Sequence, residues 1–145
     1  MVIPERKFKI IKLKNQSLAS IFSSLPKGRG REEGERGNEM TMQRTEVIDR
    51  IRDVAHKMSP NVQTILYGSQ ARGDARPDSD IDLLMLVDAD KLSYSDKDSI
   101  IAPLYDIELD TGIVISALIM PRKEWENRPF MTPFQYNVNK EGITL

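Results

Sequence analysis

Cysteine is absent from the 145 residues, which excludes disulfides, thiolate metal centres and cysteine nucleophiles and leaves stability to ordinary core burial. That absence suits the cytoplasm. No apolar run approaches the roughly 20 residues needed to cross a bilayer, so no integral membrane segment is expected. Histidine occurs once, as His56; with no other ligand at metal spacing it is expected to be a surface side chain. Neither sign of charge dominates, with 21 Lys and Arg against 22 Asp and Glu, so net charge names no partner. With 39% hydrophobic and 30% charged residues, the chain reads as one globular domain carrying a short appendage.

The appendage is visible as a change of composition. Residues 27–38, KGRGREEGERGN, are rich in glycine and charge and too poor in apolar side chains to offset their ordering entropy. Upstream, Phe8 to Leu25 mixes lysines with Ile10, Ile11, Leu13, Leu18, Ile21 and Phe22, a weak amphipathic pattern. Lys12, Lys14 and Asn15 interrupt it, which makes it a poor signal peptide. Residues 1–39 hold nine Lys/Arg against five Asp/Glu, or +4, leaving twelve against seventeen, or −5. The expectation is a disordered or extended basic leader over 1–39 and a domain over 40–145, with Met40 or Met42 as a natural start. A basic arm for nucleic acid or a membrane surface is the less favoured reading, and nucleic acid is not expected as a partner.

Within the domain, Val47, Ile48, Ile51, Val54, Ala55 and Met58 mark one face of a helix over 43–58, stopped by Ser59-Pro60. Val62–Tyr67 and Ile81–Val87 are β-prone runs, the second apolar enough to be buried on both faces. Residues 93–110 are helical in pattern, and Pro103 is expected to kink that helix or begin a second one. Residues 113–120 form a third strand, 121–127 a helical turn around Trp125, and 134–140 a last short helix. The alternation implies an α/β layer architecture.

The chemistry concentrates in Gly68-Ser69-Gln70-Ala71-Arg72-Gly73-Asp74-Ala75-Arg76-Pro77-Asp78-Ser79-Asp80-Ile81-Asp82. Gly68 permits a sharp turn and a close ligand approach, and Ser69 offers a hydroxyl and an amide to phosphate oxygens near a helix start. Asp80 and Asp82, two apart on a strand, project to one side and can share divalent cations, magnesium above all. Left unpaired in a core they would repel and lose hydration. Arg72 and Arg76 could meet triphosphate oxygens as leaving-group charge develops. The competing reading of this segment is a glycine-rich loop followed by a strand with an acidic edge.

Gly-Ser, ten residues, then Asp-x-Asp is a pattern that resembles the minimal nucleotidyltransferases of the DNA polymerase beta-like superfamily, and GSQARGDARPDSDIDLL looks like that family's text. The likeness covers about residues 43–145. It implies a small mixed sheet of three or more strands flanked by helices, an α/β (α+β) fold. It also implies that Gly68, Ser69 and Arg72 hold a nucleoside triphosphate, ATP in the first instance, while Asp80 and Asp82 ligate magnesium. AMP would then pass from ATP to a hydroxyl of a protein or small molecule.

The family usually places a third carboxylate on the next strand. Here that strand is IVISALIM, and counting back from the following helix puts the position at Ser116. Asp106, Glu108 or Asp110 are the acids that could substitute. The alternative function is therefore a catalytically impaired, nucleotide-binding antitoxin or regulatory partner of a HEPN-domain toxin. Trp125, Phe130, Phe134 and Tyr136 could be imagined as a base-stacking platform but are expected to cover the core. Asp88, Asp90, Asp96 and Asp98 are expected to be a solvated loop and helix start.

Overall fold

The computed structural model describes residues 34–145, with side chains from Gln43 onward. The leader expected over 1–39 lies outside the described residues except at 34–39, where the backbone is helical. Helix α1, Gly34–Met58, buries Arg44, Val47, Ile48, Ile51 and Ala55 at the three- and four-residue spacing of one face. Strand β1, Val62–Tyr67, leads into the short helix α2, Gly68–Arg72, and a loop then reaches strand β2, Ile81–Val87.

Helix α3 spans Tyr94–Thr111. The Ser93 hydroxyl accepts from the Asp96 amide at 3.1 Å while the Asp96 carboxylate accepts from the Ser93 amide at 2.8 Å, a reciprocal cap. Gly112, at φ 70°, closes the other end in the left-handed conformation that glycine tolerates. Pro103 lies inside this single helix, so of the two outcomes left open by the sequence no second helix begins there. Proline removes one backbone bond, but Ile100, Leu104 and Ile107 are buried on either side of it, and that burial keeps the turns together.

Strand β3, Ile115–Pro121, starts two residues later than its apolar run because Gly112 has only just closed α3. Helices α4, Arg122–Glu126, and α5, Pro133–Glu141, follow. The chain ends near β4, Ile143–Thr144, which two residues of sequence could not announce. The sheet order is β3-β2-β1-β4, with β1 antiparallel to β2 and β4 and β2 parallel to β3. This is the helix-flanked mixed sheet expected from the sequence. No helix among the described residues is long and apolar enough to cross a membrane.

The pleat of β2 divides the core. Ile81, Leu83, Met85 and Val87 pack with α1 and α3, whereas Leu84 and Leu86 pack with Ile65, Trp125 and Val138 on the other face. Trp125 is buried, and Phe134 meets Trp125 and Tyr67 edge to face at 5.9 and 5.3 Å between centroids. Phe130 and Tyr136 are exposed, so only two of the four aromatics contribute to packing. Tyr136 follows the inward-facing Gln135 by one position and turns away from the core.

His56 lies exposed, as expected. Asp96 serves the cap of α3, Asp88 pairs with Arg122 at 2.5 Å, and Asp90 pairs with Lys123; these are surface charges at a strand end and a helix start.

Gly142 joins α5 to β4 where a Cβ would lie 2.4 Å from the Val138 carbonyl oxygen and 2.8 Å from Ile65 Cγ2. A Gly142→Ala substitution must therefore displace the end of α5 or the Ile65 side chain, and a loss of about 1–3 kcal/mol is expected from overpacking. Urea unfolding checks this; an unchanged midpoint would show that the junction yields freely.

Candidate functional site

Gly68 ends β1 and opens α2 with φ 75°. The antiparallel register sets Tyr67 opposite Asp82, so the glycine abuts that acid. A Cβ at Gly68 would fall 2.5 Å from Asp82 Oδ2. Glycine is thus required both by the left-handed backbone and by the space the carboxylate occupies. Ser69 is the second residue of α2, and its carbonyl accepts from the Gly73 amide and, at 3.0 Å, from the Asp74 amide. Gly73, at φ 80°, lets the chain leave α2 there.

Asp80 immediately precedes β2 and Asp82 lies within it, so the two-residue period of the strand gives them one face, the face that also carries Leu84 and Leu86. Asp82 is half-buried, and its carboxyl is held above the usual carboxylate range by desolvation first and by the neighbouring charge of Asp80 second, with Arg72 opposing. The Tyr67 phenol is likewise pushed up, by burial and then by Asp82. Ser116 is the parallel-register partner of Asp82, and its hydroxyl donates to Asp80 Oδ2 at 3.2 Å. The strand position counted out from the sequence therefore lies beside both acids.

The acids considered as substitutes for that position are engaged elsewhere or on the wrong side. Helix α3 packs against the opposite face of the sheet. Its Asp110 pairs with Arg50 at 2.7 Å, Glu108 accepts from the Ile115 amide at 3.1 Å, and Asp106 is exposed. Among the described residues no three His, Cys, Asp or Glu side chains gather as a metal-holding group.

Arg72 projects from the end of α2, with Nε 3.3 Å from Asp74 Oδ2 and Nη1 3.5 Å from Glu141 Oε2; its charge is felt by Asp82. Arg76 is exposed in a turn closed by its amide donating to Ser79 Oγ at 2.8 Å and by the Ser79 amide donating to its carbonyl at 3.0 Å. Sequence reasoning overlooked Arg44. This residue is buried beneath the same loop and donates to the carbonyls of Pro77 and Ser79 at 2.6 and 2.7 Å. The signal was present: Arg44 precedes Val47 and Ile48 by three and four residues, so it falls on the apolar stripe of α1.

The donor set suits a small, hard divalent cation. Two carboxylates share a face, one destabilised as an anion by burial and by the other, next to a backbone stripped of its side chain. Magnesium is characteristically bound by one or two carboxylates together with substrate phosphates, so two acids are sufficient for a nucleotide-borne ion.

Because the folded state raises the Asp82 carboxyl above its unfolded value, the ionised group weakens the fold above that range, and the penalty disappears as acidification protonates it. In metal-free protein at neutral pH, Asp82→Asn is expected to raise Tm by a few degrees, and the gap should close as pH falls through the carboxylate range. A lower Tm for the variant would mean that the charge stabilises the fold instead.

Residues 48–136 match the family described as "Nucleotidyltransferase domain". A Methanocaldococcus jannaschii protein named "Putative protein adenylyltransferase" is 37% identical over 81 residues, covering 56% of this chain and 74% of the relative. A crystal structure described as a toxin-antitoxin with AMP-PNP superposes with a TM-score of 0.43 and 21% identity, over 66% of this chain and 69% of that one; a likeness that distant carries no functional argument. The family match takes in α2, the loop, β2 and β3, and with them the glycine turn and both strand acids: the chain belongs to the nucleotidyltransferase domain family.

Proposed function

We propose that this protein is a magnesium-dependent nucleotidyltransferase that passes AMP from ATP to a hydroxyl of a protein or small molecule. The observation that carries the reading is the contact of the bare Gly68 turn with Asp82, with Asp80 on the same face. The name of the archaeal relative supports adenylate as the group moved and protein as an acceptor class.

In this reading the Gly68-Ser69 backbone and the Ser69 hydroxyl bind the triphosphate, and Asp80 and Asp82 hold the cation. Magnesium, when bound there, supplies neutralisation of charge on the transferring and departing phosphates. Arg72 exchanges its contacts with Asp74 and Glu141 for oxygens of the departing pyrophosphate. The acceptor oxygen bonds to the α-phosphorus, the bond from that phosphorus to the oxygen bridging the β-phosphate breaks, and Asp80, the more exposed acid, takes the hydroxyl proton. Lack of cysteine suits a reducing cytoplasm as the place of action.

A second reading is favoured by one observation, the occupation of the third position by Ser116. A hydroxyl is a weaker ligand and base than a carboxylate, so triphosphate affinity can outlast turnover. The chain would then act as a nucleotide-binding antitoxin or regulatory partner of a HEPN-domain toxin.

Label transfer from α-labelled ATP with magnesium, to candidate proteins and small molecules, separates the two. Transfer by the wild-type chain is expected, with Asp80→Asn and Asp82→Asn each costing on the order of a hundredfold or more, since even residues that merely support a metal ligand cost about 10–100-fold. Ser116→Asp is expected to raise magnesium-dependent transfer. Binding of ATP without transfer by either the wild type or Ser116→Asp would leave only the second reading, and absence of magnesium-dependent ATP binding would remove both.

A further inference from the structure

Arg44 is only 8% exposed, yet none of the ion pairs among the described residues includes it. Its guanidinium is held by neutral oxygens: the Pro77 carbonyl at 2.6 Å, the Ser79 carbonyl at 2.7 Å and Gln70 Oε1 at 3.4 Å. Burying a cation without a carboxylate is costly, and a methionine or leucine would suit the helix face that Arg44 shares with the buried Val47, Ile48 and Ile51. Core packing alone therefore does not account for an arginine here.

The positions of its partners do. Ser79 is the residue before Asp80, and Gln70 is the residue after Ser69. One planar, rigid fork thus joins the segment that launches the strand acids to the helix that opens with the glycine turn, across 26 to 35 residues of chain. We propose that Arg44 is a positioning residue, fixing the approach of Asp80 to Ser69 so that the two acids and the turn meet one metal-bound triphosphate. This rests on the nucleotidyl-transfer reading above. Arg44 touches no reacting atom; it acts through the loop over 77–79.

The test uses the full chain with Arg44→Lys and Arg44→Met, because a lysine keeps the charge and loses the fork. Folding is checked by circular dichroism and a cooperative melt. ATP binding is then titrated by calorimetry with and without magnesium, and transfer is followed against magnesium concentration. Both variants are expected to keep metal-free ATP affinity and to show its tightening only at higher magnesium. They should need about 10- to 100-fold more magnesium for half-maximal binding or transfer, the usual loss when a residue supporting a metal ligand is removed.

Folded variants that respond to magnesium like the wild type would overturn the proposal. So would equal losses with and without the metal, or collapse of both variants, each of which would make Arg44 purely structural. If the wild-type chain itself shows no magnesium-dependent ATP binding, the parent reading falls and this inference with it; normal wild-type behaviour beside unaltered variants sinks the inference alone.

Discussion

Strand β2 is bonded along both edges, antiparallel to β1 and parallel to β3, and packed on both faces. Its register constrains everything else, because a slip of one residue would exchange the faces of its side chains. Leu83 and Met85 would leave the cluster beneath α1 and α3, and Asp82 would enter it. Burial of Ile81, Leu83, Met85 and Val87 on one side and of Leu84 and Leu86 on the other thus fixes where the acids point. A carboxylate placed this way is poorly solvated and faces a like charge. The apolar strand around it supplies the stability that tolerates such a residue.

How much of this was legible depended on how local each constraint is. The glycine turn and the acids occupy fifteen consecutive residues, so a pattern read along the chain captured their spacing, and the face shared by Asp80 and Asp82 follows from strand geometry alone. Ser116 was placed by counting from the helix that follows, and the parallel register sets it beside Asp82. The apolar runs announced β1 and β2 with their ends.

What escaped depends on contacts between distant segments. Whether Glu108 or Asp110 could reach the site is decided by the face on which α3 packs, and no local pattern states that. The partnership of Arg44 with residues 77–79 spans more than thirty positions, although its place on an apolar stripe was a visible anomaly. Strand β4 is too short to show a period, and its existence follows from pairing with Ile65 and Leu66. Pro103 left two outcomes open, and the burial of Ile100, Leu104 and Ile107 around it, which no local pattern states, decides for one continuous helix.

The two faces of the sheet carry unequal burdens. The cluster beneath α1 and α3 contains most of the buried apolar side chains, while the face bearing the acids is covered by a smaller group centred on Trp125 and Val138. Substitutions on the acid-bearing side therefore disturb the lesser part of the cohesion that maintains the architecture.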